Sequence, residues 1–462
     1  MKPVLLSQMA RWCSARLLGD DGSVQSVSID SRRVVPGALF VAIVGERFDG
    51  HDFCAQAAQA GAAALLVSRP LQSDLPQLLC ADTVAALGDI AAAVQAARDT
   101  RVLAITGSNG KTSVKTLLLA ILERCAPSYA NPGNRNNEIG LPLAVLDAPE
   151  QARYAIYEMG AGKPDDIAYL SSIARPDIAL VNNIAPAHLE RMGSLLGIAQ
   201  TKAAIYEALP ADGVAVVNAD DAFCQFFADI AKPRRCLRFG LEHSADISAH
   251  DVALDADGSR FSLRLPDGTL PVRLMLPGRH NVMNALAAAA MAHAVGAPPD
   301  TIAEGLCAAR GVAGRQQVHA LGESVRLIDD SYNANPGSVA AAIDRLAAAD
   351  GDTWLVLGDM AELGEGSVAL HAELGDRARR AGLSALWTVG TLSQEASRAF
   401  GEGGRHFRDQ TALIQALRTA LDERSKRNPL HVLVKGSRSS TMENVVAALC
   451  PVATQQGGDH AA

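Results

Sequence analysis

The sequence predicts an α/β protein of three domains. Three observations carry this reading. Short apolar runs alternate with helical patterns along most of the chain, the signature of mostly parallel sheets covered by helices. Polar clusters follow several of those runs, at the edge where open α/β sheets bind ligands. The chain also has 462 residues, more than one hydrophobic core supports.

Composition narrows the class. Hydrophobic residues make up 48% of the chain, as in a globular protein, and no apolar run is long enough to span a bilayer. A formal net charge of -8 argues against a general nucleic-acid binder. The eight cysteines are scattered and form no C-x-x-C pair, so neither a zinc site nor a disulfide framework is expected. Reduced thiols and the lack of a charged-then-apolar leader point to a cytoplasmic protein without membrane insertion.

The first domain is read as residues 1–99, a small α/β unit. A helix is expected at 5–15, strands at 24–29 and 38–44, a helix at 53–61, a strand at 63–67 and a helix at 84–97. The stretch Asp30-Ser31-Arg32-Arg33 joins hydroxyl and guanidinium groups at a strand end, which suits a polar ligand as well as an ordinary polar loop.

The second domain is read as residues 100–313. It opens on RVLAITGSNGKTSVKTLLL, residues 101–119. The apolar run at 102–105 reads as a buried strand, and the residues from Ser113 onward have helical spacing. Between them Thr106, Gly107, Ser108, Asn109, Gly110, Lys111 and Thr112 make a phosphate cradle of backbone N–H groups at a helix start. Lys111 can reach terminal phosphates and the Thr112 hydroxyl can ligate Mg²⁺. The loop is shorter than the full Walker pattern, since Ile105 stands where that pattern has its first glycine.

Further strands are expected at 155–158, 178–182 and 214–218, with a strand excursion at 252–272 turning at Pro266-Asp267-Gly268. Glu158 ends an apolar strand and is either a Mg²⁺ ligand or a surface acid. His188, after Asn182 and Asn183, is a metal ligand, a base or a hydrogen-bonded core ring. Lys202, in a helical stretch at 195–209, is either a solvated lysine or, carbamylated, a metal-bridging anion. Asn281 and Asn284 share a helix face, where amides read a base edge or cap the helix.

The third domain is read as residues 314–452, with strands at 325–329, 354–357, 385–389 and 431–434. Its alternation indicates a second doubly wound, Rossmann-like domain. Lys435 and Arg438, after its last strand, have the chemistry to hold a carboxylate or a phosphate. Residues 453–462 are polar and read as a disordered tail.

Taken together, TGSNGKTS, HNVMNALAA at 280–288, and Glu158, His188 and Lys202 in that order resemble the Mur ligases, ATP-dependent amide ligases of peptidoglycan synthesis. The stretches GNRNNEIGLPL, EMGAG, DDSYNANPGS, LGDMAELG and VKGSRSSTMENVV resemble the branch that appends D-alanyl-D-alanine to UDP-N-acetylmuramoyl-tripeptide. An Asp-Asn-Pro-Arg motif expected of the branch adding the third stem residue is missing.

The resemblance implies a first domain that holds the UDP end through Ser31 and Arg32, a central MgATP-binding ATPase domain, and a third that closes over ATP and delivers the dipeptide. Thr106 to Ser113 would cradle ATP, with Lys111 on its β- and γ-phosphates. Thr112 and Glu158 would hold one Mg²⁺, and His188 a second, positioned by carbamylated Lys202. Asn281 and Asn284 would lie near adenine, Arg315 at the junction into the third domain, and Asp330 on the ribose side. Asn134 and Asn137, in the amide-rich stretch, would contact substrate. A monomer is expected. Relatives carry a lysine after the serine at 331, where Tyr332 stands here. The alternatives are a ligase adding the third stem residue, a folylpolyglutamate-type ligase, or a phosphate-loop ATP switch that ligates nothing.

Overall fold

The computed structural model describes residues 1–450 except 46–47, 187–191, 256–257, 313, 362 and 424–427. The chain forms two compact units, Met1–Ile184 with Leu196–Ala309, and Ala185–Leu195 with Arg310–Ala462.

The first unit contains two large sheets. The smaller has five strands in the order Arg16–Leu18, Gln77–Leu79, Ala64–Val67, Ala38–Val41 and Ser26–Ser28, parallel except for the first pair. The single strand expected at 24–29 is in fact two. Val24 is buried and Ser23–Val24 pairs antiparallel with Val4–Leu5, while Ser26–Ser28 edges the five-stranded sheet. The first helix is shorter than expected, Leu6–Trp12. Helix Thr83–Ala96 packs on Gly140–Asp147 and Asp166–Ala174, so this sheet and the next one share a unit. Gly88 permits that approach, because a Cβ there would lie 2.3 Å from the Tyr169 hydroxyl oxygen.

The larger sheet has nine strands. Their order is Gly268–Leu274, Ser259–Leu265, Ile247–Leu254, Arg235–Gly240, Val214–Asn218, Ile178–Val181, Arg101–Thr106, Tyr154–Glu158 and Ser128–Ala130. The last seven run parallel, and the first two continue them antiparallel with a turn at Pro266-Asp267, as the excursion predicted. Arg101–Thr106 comes early in the chain yet lies inside the sheet. Its neighbours Tyr154–Glu158 and Ile178–Val181 lie on opposite sides of it, which makes its carboxyl end a topological switch point. Helix Arg279–Ala294 is buried nearly all round, and its alanines let it pack on Lys111–Leu122.

The second unit is doubly wound, as expected. Its six-stranded sheet runs Gln317–Ala320, Val325–Asp330, Leu430–Lys435, Asp352–Gly358, Ala385–Val389 and Gly404–Phe407. Only the Gln317–Ala320 edge is antiparallel. Two hydrophobic clusters cover its faces, one around Ile343 and Leu433, the other around Leu413 and Val432. The tail at 453–462 lies outside the described residues.

Candidate active site

Register sets the site. Ile105 stands opposite Glu158 and Thr106 opposite Val181, so the carboxyl ends of three parallel strands bring Thr106, Glu158 and Asn182 to one edge. The helix following the loop is Lys111–Leu122 and begins two residues earlier than the spacing suggested, with Gly110 as its cap. Gly110 has φ +80°, and a Cβ there would lie 2.4 Å from Asn284 Oδ1 and 2.6 Å from Asn182 Nδ2. Glycine alone meets both conditions.

Amides brace this loop. The Asn182 side-chain NH₂ donates to the Asn109 carbonyl (2.9 Å) and to Asn284 Oδ1 (3.1 Å). Asn183 receives the Asn109 N–H on Oδ1 at 2.9 Å and donates to the Asn109 carbonyl at 3.1 Å. Asn284 donates to Asn281 Oδ1 (3.3 Å), and Asn281 donates to the Pro277 carbonyl (2.8 Å). Asn281 and Asn284 are both buried and directed to the loop's support. Thr106 is fully buried and donates to the Met159 carbonyl at 3.0 Å. Lys111 curls over the loop, donating from Nζ to the Gly107 carbonyl at 2.7 Å and to that of Ser108 at 3.5 Å.

Beside the loop, Thr112 Oγ1 donates to Glu158 Oε2 at 2.7 Å. Asn136 donates to Glu158 Oε1 at 3.0 Å. Lys115 Nζ lies 3.3 Å from Glu158 Oε2 and donates to the carbonyls of Asn131 (2.8 Å) and Gly133 (3.1 Å). Asn131 clamps the Glu158 backbone, accepting its N–H at 2.9 Å and donating to its carbonyl at 3.0 Å. Glu158 is therefore a buried acid, not a surface one.

These groups fit Mg²⁺. Octahedral bonds of about 2.0–2.1 Å place adjacent ligand oxygens roughly 2.9–3.0 Å apart. The Thr112 and Glu158 oxygens stand within a few tenths of an ångström of that spacing. Among the described residues no group of three or more His, Cys, Asp or Glu side chains could cage a metal. One carboxylate and one hydroxyl is the sparse donor set Mg²⁺ uses when phosphates complete its shell.

Lys202 belongs to helix Leu195–Glu207 and is buried, so the solvated alternative is excluded. Burial pushes its amine down to about 7, and the Lys111 charge adds to the effect while Asp166 opposes it. His188 lies outside the described residues. Ser31 is buried and donates to Gln56 Oε1 at 2.9 Å. Arg32 is exposed and forms a bidentate pair with Asp30, two bonds of 2.9 Å, which holds the Asp30 carboxyl down at about 2. Asn134 is exposed, and Asn137 accepts the Gly140 N–H at 2.8 Å at the start of helix Gly140–Asp147. Those two amides do not reach Glu158; their neighbours Asn131 and Asn136 do.

In the second unit, Asp330 Oδ2 accepts from Lys435 Nζ at 2.5 Å, and that ammonium also donates to the Asn333 carbonyl at 3.1 Å. Lys435 is thus committed to an internal acid instead of standing ready for a ligand anion. The Arg315 guanidinium lies 4.2 Å from the centre of the Tyr332 ring. Arg438 pairs with Glu443 at 2.6 Å.

Sequence reasoning missed Lys115, Asn131 and Asn136. A signal existed for Lys115, which follows Lys111 by four residues and Thr112 by three and so shares their helix face.

Three family models match consecutive parts of the chain: the Mur ligase family catalytic domain over residues 23–105, the Mur ligase middle domain over 105–292, and the Mur ligase glutamate ligase domain over 314–438. The UDP-N-acetylmuramoyl-tripeptide–D-alanyl-D-alanine ligase of Escherichia coli is 45% identical over 97% of this chain and 99% of its own. The crystal structure of MurF from Acinetobacter baumannii superposes with a TM-score of 0.91 at 33% identity, covering 97% of this chain and 99% of that one. The MurF ligase of Thermotoga maritima, solved in complex with ADP, gives 0.80 at 29% identity over 92% and 97%. The phosphate loop at the switch point, the buried strand-end acid beside it and full-length likeness at this level agree, and the chain belongs to the Mur ligase family.

Proposed function

We propose that the chain forms the amide bond between D-alanyl-D-alanine and the terminal carboxylate of UDP-N-acetylmuramoyl-tripeptide, converting ATP to ADP and phosphate. The carrying observation is the loop from Thr106 to Thr112 set against buried Glu158 at the carboxyl end of the central strands. The substrates are those in the name of the full-length Escherichia coli relative.

The chemistry explains why ATP is needed. A carboxylate cannot lose oxide to an amine. Its oxygen attacks the γ-phosphorus instead, the bond to the β-phosphate oxygen breaks, and an acyl phosphate forms. The dipeptide amine adds to the acyl carbon, a proton leaves the nitrogen, and the tetrahedral anion expels phosphate. The protein contributes position and charge. Lys111 is placed to neutralise terminal phosphate charge, and the N–H groups of the braced loop cradle the phosphates. Thr112 and Glu158 would hold Mg²⁺, with His188 and Lys202 at a second ion, and the metal supplies charge neutralisation of the phosphates. Asn281, Asn284, Arg315 and Asp330 are assigned to the nucleoside end, and Ser31, Arg32, Asn134 and Asn137 to the UDP substrate. ATP and a UDP-linked substrate make the cytoplasm the compartment of this reaction.

Lys202 supports carbamylation. An amine held at about 7 is half uncharged at neutral pH, and the neutral form adds CO₂ through its lone pair, releasing a proton. The product replaces a buried cation with an anion. A ¹³C-bicarbonate NMR signal for a carbamate, lost in Lys202→Met, is the expected outcome; identical spectra for the two proteins would count against it.

Phosphate release tests the reaction. It is expected only when UDP-N-acetylmuramoyl-tripeptide, D-alanyl-D-alanine and MgATP are all present. Release with UDP-N-acetylmuramoyl-dipeptide and a free diamino acid would sink the assignment, and release without any amine would favour an ATP switch.

A further inference from the structure

Lys115 has no part in the reaction as derived above, yet it is buried among the groups that matter most. Its ammonium is fixed by the Asn131 and Gly133 carbonyls and lies 3.3 Å from Glu158 Oε2, the oxygen that also accepts from Thr112. Asn131 in turn holds the Glu158 backbone on both sides. The lysine therefore cannot swing away from the carboxylate without breaking the contacts that shape the loop.

We propose that Lys115 makes divalent-cation binding at Glu158 conditional on the nucleotide. The inference rests on the reading that Thr112 and Glu158 hold Mg²⁺. Charge decides it. Glu158 and Lys115 together carry no net charge, and Lys111 adds a cation at the adjoining loop. Among the described residues no further acids gather here to make a metal cage. A divalent ion bonded to Glu158 at about 2.1 Å would sit within roughly 5 Å of the Lys115 ammonium, and by inverse distance their repulsion offsets roughly two-fifths of the attraction to a single carboxylate, before the Lys111 charge is added. The phosphates of ATP reverse the balance. Metal then enters with the nucleotide, as a complex, and bare Mg²⁺ does not occupy the site beforehand. The arrangement also holds Glu158 oriented, with one oxygen on Asn136 and the other on Thr112 and Lys115.

Mn²⁺ titration of the full chain, followed by the EPR signal of free Mn²⁺, tests this with and without a non-hydrolysable ATP analogue. Lys115→Met and Lys115→Gln should tighten nucleotide-free Mn²⁺ binding by about tenfold or more. With the analogue bound, the difference from the parent protein should shrink to within about threefold. Lys115→Arg keeps the charge and should behave as the parent does. Lys115→Gln retains a donor for the loop carbonyls, so it and Lys115→Arg carry the test if Lys115→Met does not fold. Neutral variants that bind nucleotide-free Mn²⁺ as weakly as the parent overturn the inference. Glu158→Gln separates the two levels. If it abolishes Mn²⁺ binding with the analogue while Lys115→Gln changes nothing, only the role of Lys115 fails. If Mn²⁺ binding with the analogue survives Glu158→Gln, the metal reading and the inference fail together.

Discussion

Each unit places a buried carboxylate at the carboxyl end of a parallel strand and a lysine beside it, and the two couples behave differently. In the second unit Asp330 and Lys435 stand opposite each other on adjacent strands, in register, 2.5 Å apart. Backbone hydrogen bonding fixes both partners, so the couple is a strut across the sheet. In the first unit Glu158 ends a strand while Thr112 and Lys115 come from a helix. There the acid divides its oxygens among a hydroxyl, an amide and an ammonium at 3.3 Å. A carboxylate shared among several partners can exchange one of them for a ligand. A carboxylate locked to its strand neighbour exchanges much less readily.

The largest expected effect tests the exchangeable side. Lys111→Ala should lower kcat/KM for ATP by about 10²–10⁴ in a phosphate-release assay, with the fold unchanged by circular dichroism. The contrast itself is tested by urea unfolding. Asp330→Asn leaves Lys435 buried without its counterion and should cost about 3–5 kcal/mol. Glu158→Gln should cost less than about 2 kcal/mol, because Lys115 keeps two carbonyl acceptors, while activity collapses. Equal destabilisation by the two substitutions would break the comparison.

Lys202 provides a third case, a lysine held down by burial and the Lys111 charge, with Asp166 opposing them. Its folded-state value of about 7 lies below the ordinary 10.5. Between those pH values the unfolded chain binds the extra proton, so stability should rise with pH from about 7 to 10.5. The penalty is complete below 7. At 1.36 kcal/mol per unit it has an upper bound of roughly 4–5 kcal/mol. Lys202→Met should therefore be more stable than the parent at pH 7 in CO₂-free buffer, by about 2 kcal/mol or more, with the gap closing near pH 10. A pH-independent gap would show that burial of the charge is not its cause. An effect of comparable size to that at Lys202 is expected at Gly110→Ala. Its positive φ and the crowding by Asn284 should cost about 1–3 kcal/mol, seen as a lower Tm and weaker ATP binding.

Much of the fold could be read in the chain because parallel strands are buried on both faces. Runs such as those at 102–105, 178–181 and 214–217 are apolar at every position, and they became the central strands. Edge strands carry no such mark. Gln317–Ala320 and Ser128–Ala130 are partly exposed and polar, and the pattern gave no reason to expect them. The loop from Thr106 to Thr112 was visible because its glycines have conformational work that no other residue does. The burial of Lys202 and Lys115 was not visible. A helical lysine reads as solvated until tertiary packing covers it, and hydrogen bonds to carbonyls of distant loops leave no trace in local spacing. The amides show the same limit. The amide-rich stretch around Asn134 and Asn137 reads as a substrate contact, but which asparagines of this region turn toward Glu158 depends on the loop's path. Asn131 and Asn136 do so, whereas Asn134 and Asn137 do not.

The central claim is that a substrate carboxylate is activated by phosphoryl transfer at the Thr106–Thr112 loop. The direct measurement is an oxygen-transfer experiment. UDP-N-acetylmuramoyl-tripeptide labelled with ¹⁸O in its terminal carboxylate is turned over with MgATP and D-alanyl-D-alanine, and the released phosphate is analysed by mass spectrometry. Activation through an acyl phosphate predicts one carboxylate-derived oxygen in each phosphate, since the oxygen that attacks phosphorus leaves with it. Phosphate carrying no oxygen from the carboxylate, released at the rate of amide formation, would contradict the account.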